Sequence, residues 1–349
     1  MRHTPRIRIV IRWAAGLAAA LCLSEIPLRT WAQQAPAPAR GGKLTICLLP
    51  KKKGVPYFTS CAKGAQEAAR ELGIELIYDG PTDGSPEKAA AMIERWTLQG
   101  VDAICVSPND PEVLAPAMKK ARAKGIHILT WDADGVPAAR EFMVNQATSQ
   151  EIGYALVDTL VQDLGGPEVG GDVAIITAAL TAANQNDWIK YIKERLAKYP
   201  KLTLAALKPS NEDQKLAFQV TKDLVNAHPN LRGVFAISSV AFPGAAEAVK
   251  QAGKAGQVLV TGLSTPNDMR AHVLDGTVKS VVLWNTLDLG YLTVYAAEAV
   301  ATGKLEPGEP DVQTTLKAGR LGEKQVRGDQ VLLGKILVFT RENIGEFDF

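Results

Sequence analysis

The residues best suited to bind a ligand in this sequence are polar and aromatic side chains close behind short apolar runs. Asp132 follows the run Ile128-Leu-Thr-Trp131, and Lys51 follows the apolar run at 44–49. Comparable positions are held by Tyr57, Phe58, Asp134, Asn184, Gln185, Ser239, Ser264, Trp284 and Asn285. Carboxylates and amides exchange hydrogen bonds with hydroxyl groups, and aromatic faces cover the apolar C–H side of a pyranose. This set therefore indicates a site for a small polyhydroxylated ligand such as a sugar.

Each of these residues also has a purely structural explanation. The aromatic residues are equally ordinary members of a hydrophobic core, and Asp132 is alternatively the cap of a turn. Asn184 and Gln185 are alternatively caps of the helix that follows them, although an amide pair at a helix start is an equally good ligand donor. In the lysine run 51–53, only Lys51 is expected near a ligand, because it is nearest to the preceding apolar run.

The secondary-structure elements that position these residues alternate with the same spacing in both halves of the chain. Apolar runs of strand length alternate with amphipathic segments of helix length, which is the pattern of a parallel sheet flanked by helices. The predicted strands begin at residues 44, 74, 102 and 126 in the first half and at 173, 202, 233 and 257 in the second. The spacings agree closely between the halves, which predicts two copies of one doubly wound α/β lobe.

The predicted topology brings the polar residues together. In open parallel α/β sheets, ligands bind beyond the carboxyl ends of the strands. A further strand at 279–284 and a helix at 286–302 follow the second copy. If this unit returns to the first sheet, several crossing strands join the lobes as a hinge that closes around a ligand.

The first 32 residues have the composition of a secretory signal peptide. Four arginines (Arg2, Arg6, Arg8 and Arg12) precede the apolar run 13–23, which is too short to span a membrane. We predict cleavage after Ala32, with an uncleaved anchor as the alternative. Residues 33–42 are rich in Pro, Ala and Gly and predict a flexible linker. A secreted protein is therefore expected.

The charge balance of the mature chain points away from polyanionic partners. The leader contains five of the 39 Lys and Arg residues and one of the 37 acidic residues, which leaves 34 basic and 36 acidic residues. A net charge near −2 gives no reason to expect nucleic acid or an anionic membrane surface as a partner. Cys47, Cys61 and Cys105 remain after the leader, and this odd number argues against a disulfide scaffold.

Motifs of catalysis are missing from the sequence. No G-x-G-x-x-G follows the first predicted strand, and neither G-x-x-x-x-G-K-[ST] nor G-x-S-x-G occurs. The histidines outside the leader, at positions 127, 228 and 272, are not clustered at metal-ligand spacing. We therefore predict a binding protein without enzymatic activity, cofactor or metal.

The chain from Lys43 to Phe349 resembles the solute-binding proteins of bacterial ABC sugar importers, in the ribose-binding type I class. Within that class it is most similar to the subgroup of rhamnose-binding and autoinducer-2-binding proteins. The resemblance is carried by Gly64-Ala-Gln-Glu-Ala68, Tyr78-Asp-Gly-Pro-Thr82, Ile128-Leu-Thr-Trp-Asp132, Asn184-Gln-Asn186, Val260-Thr-Gly-Leu263, Leu283-Trp-Asn285 and Asn343-Ile-Gly-Glu-Phe347. It implies a periplasmic location, an ABC permease as partner and a ligand bridging both lobes, and we expect a monomer.

The resemblance also implies site residues and domain boundaries. The Lys, Asp and Gln of the autoinducer-2 binders match Lys51, Asp132 and Gln185, whereas their other positions are changed to Asn184, Ile237 and Ser239. The ribose binders' Asp after the last strand of the second lobe is Ser264 here. A rhamnose-like aldose is therefore the favoured ligand; autoinducer-2 and a module for a membrane sensor are alternatives. The implied lobes are 43–146 with about 283–312, and 147–282 with about 313–349.

Overall fold

The computed structural model describes residues 42–309 and 312–349. The predicted signal peptide and all but the last residue of the predicted linker lie outside this range. Within it, no helix combines the length and the apolar character that crossing a membrane requires.

The first half of the described chain forms a parallel sheet with helices on its faces. Its elements are β1 (Thr45–Leu49), α1 (Pro56–Leu72), β2 (Glu75–Tyr78), α2 (Pro86–Gln99), β3 (Ala103–Val106), α3 (Pro111–Ala123), β4 (His127–Trp131) and β5 (Phe142–Asn145). Proline occupies the start of each of these three helices, where its missing N–H costs no hydrogen bond. Gly73 and Gly100 end α1 and α2 in the left-handed conformation, with φ of 68° and 69°.

The second half repeats this arrangement. Its elements are α4 (Ser149–Leu164), β6 (Gly171–Thr177), α5 (Ala183–Leu196), β7 (Leu202–Pro209), α6 (Gln214–Ala227), β8 (Leu231–Ala236), α7 (Ala241–Gln251), β9 (Leu259–Gly262), α8 (Pro266–Leu274) and β10 (Val281–Leu283). The parallel strands lie in the order β7-β6-β8-β9, and Val282 of β10 forms a parallel bridge with Leu263. The predicted α/β fold with two doubly wound lobes is confirmed.

The last part of the chain contributes to both lobes. It contains α9 (Thr286–Ala301), β11 (Gln313–Lys317), β12 (Glu323–Arg327), β13 (Gln330–Leu332) and β14 (Leu337–Phe339). The first sheet has the order β11-β12-β13-β5-β4-β3-β1-β2, while β14 pairs with β10 in the second lobe. The prediction that residues from about 313 onward belong to the second lobe is therefore wrong for β11–β13. Strand β13 pairs with β5, and β12 and β11 extend the sheet from β13. The sequence of these short strands does not indicate which sheet they join.

The lobes exchange one helix each, and the described part of the chain crosses between them three times. Helix α4 follows β5 but packs on α5 and the second sheet, whereas α9 follows β10 but packs on α1 and the first sheet. The third crossing runs from β13 to β14. The first and third crossings are bonded to each other, since Leu333 N–H donates to Asn145 O at 2.8 Å and Gly334 N–H to Gln146 O at 3.1 Å. Such a multi-strand connection is a hinge rather than a single loose linker.

Candidate functional site

A cavity lies where the carboxyl ends of the two sheets face each other. It is lined by Lys51, Val55, Tyr57, Phe58, Asp132, Asn184, Gln185, Trp188, Glu212, Ile237, Ser238, Ser239, Leu263, Leu283 and Trp284. Nine of the twelve residues predicted from the sequence are among them. The parallel sheets explain this convergence, because each strand delivers the residues behind it to the same edge.

Asp132 is the most constrained residue of the first wall. It is only 5% exposed, and its backbone is left-handed, with φ of 63°. Its carboxylate accepts hydrogen bonds from Tyr57 Oη at 2.8 Å and from Ser107 Oγ at 3.0 Å, and it lies 3.3 Å from Lys51 Nζ. A strained backbone under a buried, partnered carboxylate is typical of a functional position. Asp132 follows strand β4 and caps no helix.

A chain of hydrogen bonds ties the aromatic wall to this carboxylate. Trp284 Nε1 donates to Tyr57 Oη at 2.9 Å, and Tyr57 in turn donates to Asp132. Burial, reinforced by the negative charge of Asp132, holds the pKa of Tyr57 well above its usual value, so the phenol stays a neutral donor. The Trp284 ring also lies edge-on to Tyr57 and close to Trp188, each at 6.1 Å between ring centroids.

The second wall presents amides from the start of α5. Asn184 Oδ1 accepts a hydrogen bond from Lys51 Nζ at 3.3 Å. Gln185 Oε1 accepts from Thr177 Oγ1 and from the Ala178 N–H, the latter at 2.7 Å, which leaves the Gln185 amide nitrogen as a donor beside the cavity. The N-cap of α5 is Ala182, without a side-chain cap. Neither amide is therefore a helix cap.

The walls of the cavity touch one another. Lys51 bonds to Asn184 across the lobes, and Lys52 Nζ lies 3.5 Å from Glu212 O on the second lobe. The cavity volume is about 40 Å³, well below the roughly 300 Å³ at which pockets for small molecules begin. A ligand in this cavity therefore takes the place of the Lys51 ammonium between Asp132 and Asn184, having entered while the lobes were apart.

Three predicted site residues lie outside the cavity lining. Asp134 accepts two hydrogen bonds from Arg140, at 2.7 and 2.8 Å, and therefore anchors a loop of the first lobe. Asn285 caps α9 by accepting from the Asp288 N–H at 3.2 Å. Ser264 is fully buried and donates to Ser239 O at 3.0 Å, so it supports the lining without belonging to it. All three are polar residues close behind strands, and sequence alone did not distinguish them from lining residues.

Several lining residues escaped the sequence prediction. The polar ones are Ser238 and Glu212, and the aromatic one is Trp188, one helical turn beyond Asn184. Ser238 directly precedes the predicted Ser239. Glu212 lies three residues after β7, on a loop whose backbone is left-handed at both Asn211 and Glu212. Asn adopts a positive φ more readily than most residues, but Glu does not, so the sequence gives no sign of the conformation at Glu212.

Metal ligands and thiols are further potential centres of chemistry among the described residues. Across residues 42–309 and 312–349, no cluster of three His, Cys, Asp or Glu side chains is placed to hold a metal ion. Cys47, Cys61 and Cys105 are free and buried. Burial raises the pKa of Cys47 to about 12, so its thiol is protonated at neutral pH.

Comparison with known proteins agrees with this architecture. The chain is 26% identical over 278 residues to the ribose import binding protein of Bacillus subtilis, covering 79% of this chain and 86% of that protein. A solute-binding protein of an ABC transporter from Clostridium phytofermentas, solved with bound L-rhamnose, is 29% identical with a TM-score of 0.81, covering 87% and 98% of the two chains. The LsrB protein of Clostridium saccharobutylicum, solved with AI-2, is 27% identical with a TM-score of 0.81, covering 88% and 100%.

The family follows from a match along most of the chain. Residues 46–305 match the family described as the periplasmic binding protein domain. The relatives named above are binding proteins and not enzymes. The chain therefore belongs to the periplasmic binding protein family.

Proposed function

We propose that this protein is the periplasmic substrate-binding component of an ABC importer and that it binds a small sugar between its lobes. The observation that carries the proposal is the Asp132 carboxylate, held by Tyr57, Ser107 and Lys51 and facing the amides of the second lobe. Sugar hydroxyls can replace the Lys51 ammonium as donors to Asp132 and to Asn184 Oδ1, the two acceptors that it contacts. Aromatic rings beside these groups suit the C–H face of a sugar ring.

Binding couples to closure in this proposal. A ligand that contacts both walls binds the closed form better than the open form, and it therefore shifts the population toward closure. The closed form is what the permease would recognise. Export through the signal peptide at 1–32 and action as a monomer complete the proposal.

The favoured ligand is a rhamnose-like aldose. The relative solved with L-rhamnose supports this choice, as does the Asn184-Gln-Asn186 run at the start of α5. Autoinducer-2 is the second candidate, because the cavity brings together Lys51, Asp132 and Gln185, which resemble part of the set in autoinducer-2 binders. A third possibility for the same cleft is presentation of the bound ligand to a membrane sensor.

Thermal-shift measurements on the purified protein test the proposal. The panel contains L-rhamnose, D-ribose, D-allose and autoinducer-2. Stabilisation that saturates with concentration is expected for one aldose, because a ligand that binds only the folded state raises the melting temperature. Absence of stabilisation by every aldose contradicts sugar binding, and stabilisation by autoinducer-2 alone supports the second candidate. The ligand recovered after release should be chemically unchanged.

A further inference from the structure

Gln146 is a buried polar residue at the first crossing, just behind β5, and it is only 1% exposed. Its side-chain Nε2 donates to the main-chain oxygen of Asp132 at 3.1 Å. Its Oε1 has no donor among residues 42–309 and 312–349. Burial of an amide costs free energy unless the amide is fully hydrogen-bonded, so packing alone would favour an apolar side chain at this position.

The oxygen that Gln146 contacts belongs to a strained turn. The Ala133 N–H donates to Trp131 O at 2.7 Å around Asp132, whose φ is 63°. A hydrogen bond between residues i+2 and i around a positive φ has the pattern of a γ-turn of the rare, strained kind. Such a conformation persists only where the surrounding structure holds it. The direction of the Asp132 carboxylate therefore depends on the contacts that hold the turn.

Two hydrogen bonds hold the main chain of Asp132 against β5 and the residue behind it. The Asp132 N–H donates to Val144 O at 3.3 Å, which continues the ladder between β4 and β5. In a regular parallel ladder, the main-chain N–H two residues after Val144 would donate to Asp132 O. That residue is Gln146, and its side-chain amide supplies a bond to this oxygen.

The main chain of Gln146 is fixed to the hinge. Its carbonyl oxygen accepts from the Gly334 N–H of the third crossing at 3.1 Å. We propose that Gln146 is a positioning residue, which holds Asp132 in its ligand-facing conformation from the hinge. The inference rests on the proposed function and adds to it a residue outside the cavity lining.

Amide hydrogen exchange on the free mature chain tests the positioning without a ligand. Gln146→Met keeps the length of the side chain but removes the donor to Asp132 O, so the Ala133 N–H should exchange about tenfold faster. Asn145→Ala is the matched control, because its side chain lies on the same crossing but donates to Gln330 Oε1 at 3.4 Å. It should leave the exchange rate of Ala133 within about twofold of wild type. An unchanged rate at Ala133 in folded Gln146→Met would overturn the inference.

Titration calorimetry tests the consequence for binding. The probe is L-rhamnose, or whichever of D-ribose and D-allose stabilises the protein. Gln146→Met should weaken binding about tenfold in the wild-type background but less than about twofold in the Asp132→Asn background, because both residues act through one contact. A general folding defect would weaken binding equally in both backgrounds, and that result would overturn the inference.

Gln146→Asn is the second variant if Gln146→Met does not fold. It keeps the amide but shortens the side chain by one methylene, so it should show the same faster exchange at Ala133 and weaker sugar binding. Wild-type behaviour of Gln146→Asn in both measurements would overturn the inference. If the wild-type protein binds none of the sugars, the proposed function fails, whereas hydrogen exchange at Ala133 still decides the role of Gln146.

Discussion

At the scale of single residues, Asp132 and Asp134 show how neighbouring carboxylates acquire different tasks. The two residues are separated by one alanine and follow the same strand, β4. Asp132 turns into the cavity toward Lys51, whereas Asp134 pairs with Arg140, whose side chain is 3% exposed. The left-handed backbone at Asp132 separates their directions. Sequence alone predicted both as ligand residues because their side-chain chemistry is identical.

The different tasks predict different consequences of the same substitution. Asp132→Asn should weaken sugar binding about tenfold to a hundredfold, because the ligand loses a charged acceptor. Asp134→Asn should leave affinity within about twofold of wild type and lower the free energy of unfolding by about 1–2 kcal/mol, since a partly exposed ion pair with a buried guanidinium is weakened.

Calorimetry measures the sugar affinity of both variants, and urea denaturation measures their stability. Each variant is therefore the control for the other. Unchanged affinity in Asp132→Asn would show that the sugar binds elsewhere. If Asp134→Asn greatly weakened sugar binding but left the stability unchanged, Asp134 would have to contact the ligand.

At the scale of elements, the contact between α1 and α9 fixes the helix that returns to the first lobe. A Cβ atom at Gly64 would lie 1.8 Å from the Leu287 carbonyl oxygen, and one at Gly290 would lie 1.8 Å from the Cys61 carbonyl oxygen. The two helix backbones therefore touch directly, and glycine is required on both. Because α9 begins just after Trp284, this packing also holds the aromatic wall of the cavity.

We expect Gly64→Ala to lower the free energy of unfolding by about 3 kcal/mol, since the helices must move apart to admit a methyl group. Gly345→Ala is the matched control, because its Cβ would meet nothing within 4 Å and its backbone does not need a positive φ. Chemical denaturation of both variants gives the comparison. Equal stability of Gly64→Ala and wild type would contradict the close approach of α1 and α9.

The elements differ in how far local sequence predicted them. Repeat spacing located the strands of both sheets, but β5 and α4 between them were not predicted. A capping box at Thr148 and Glu151 does mark the start of α4, so that helix had a usable signal. The short strands β11–β13 had none for their lobe, because only pairing with β5 places them in the first sheet.

At the scale of the whole molecule, the three crossings found within residues 42–309 and 312–349 suit opening and closing about a hinge. The contacts between the lobes at the cleft include Lys51 with Asn184 and Lys52 with Glu212. These are two long hydrogen bonds, at 3.3 and 3.5 Å, and a hydrogen bond that involves a charged group contributes on the order of 1–3 kcal/mol. A bridging ligand can therefore decide the balance between open and closed forms.

Small-angle X-ray scattering should show this balance. Saturating sugar is expected to lower the radius of gyration, because ligand-bound molecules are closed. Asp132→Asn at the same sugar concentration should keep the larger radius of the free protein. An identical radius with and without sugar, at concentrations where calorimetry shows binding, would contradict closure.

Sequence by itself determined the two-lobe α/β architecture and most of the candidate site, since periodic apolar runs define strands and parallel strands send the residues behind them to one edge. The tertiary structure alone decided which of those residues face the cavity. Asp134 bonds to Arg140, Ser264 bonds to Ser239, and Asn285 caps α9. Glu212, which was not predicted, lines the cavity. The physical reason is that the direction of a side chain after a strand depends on loop dihedrals and on partners distant in sequence, such as Arg140 and Ser238.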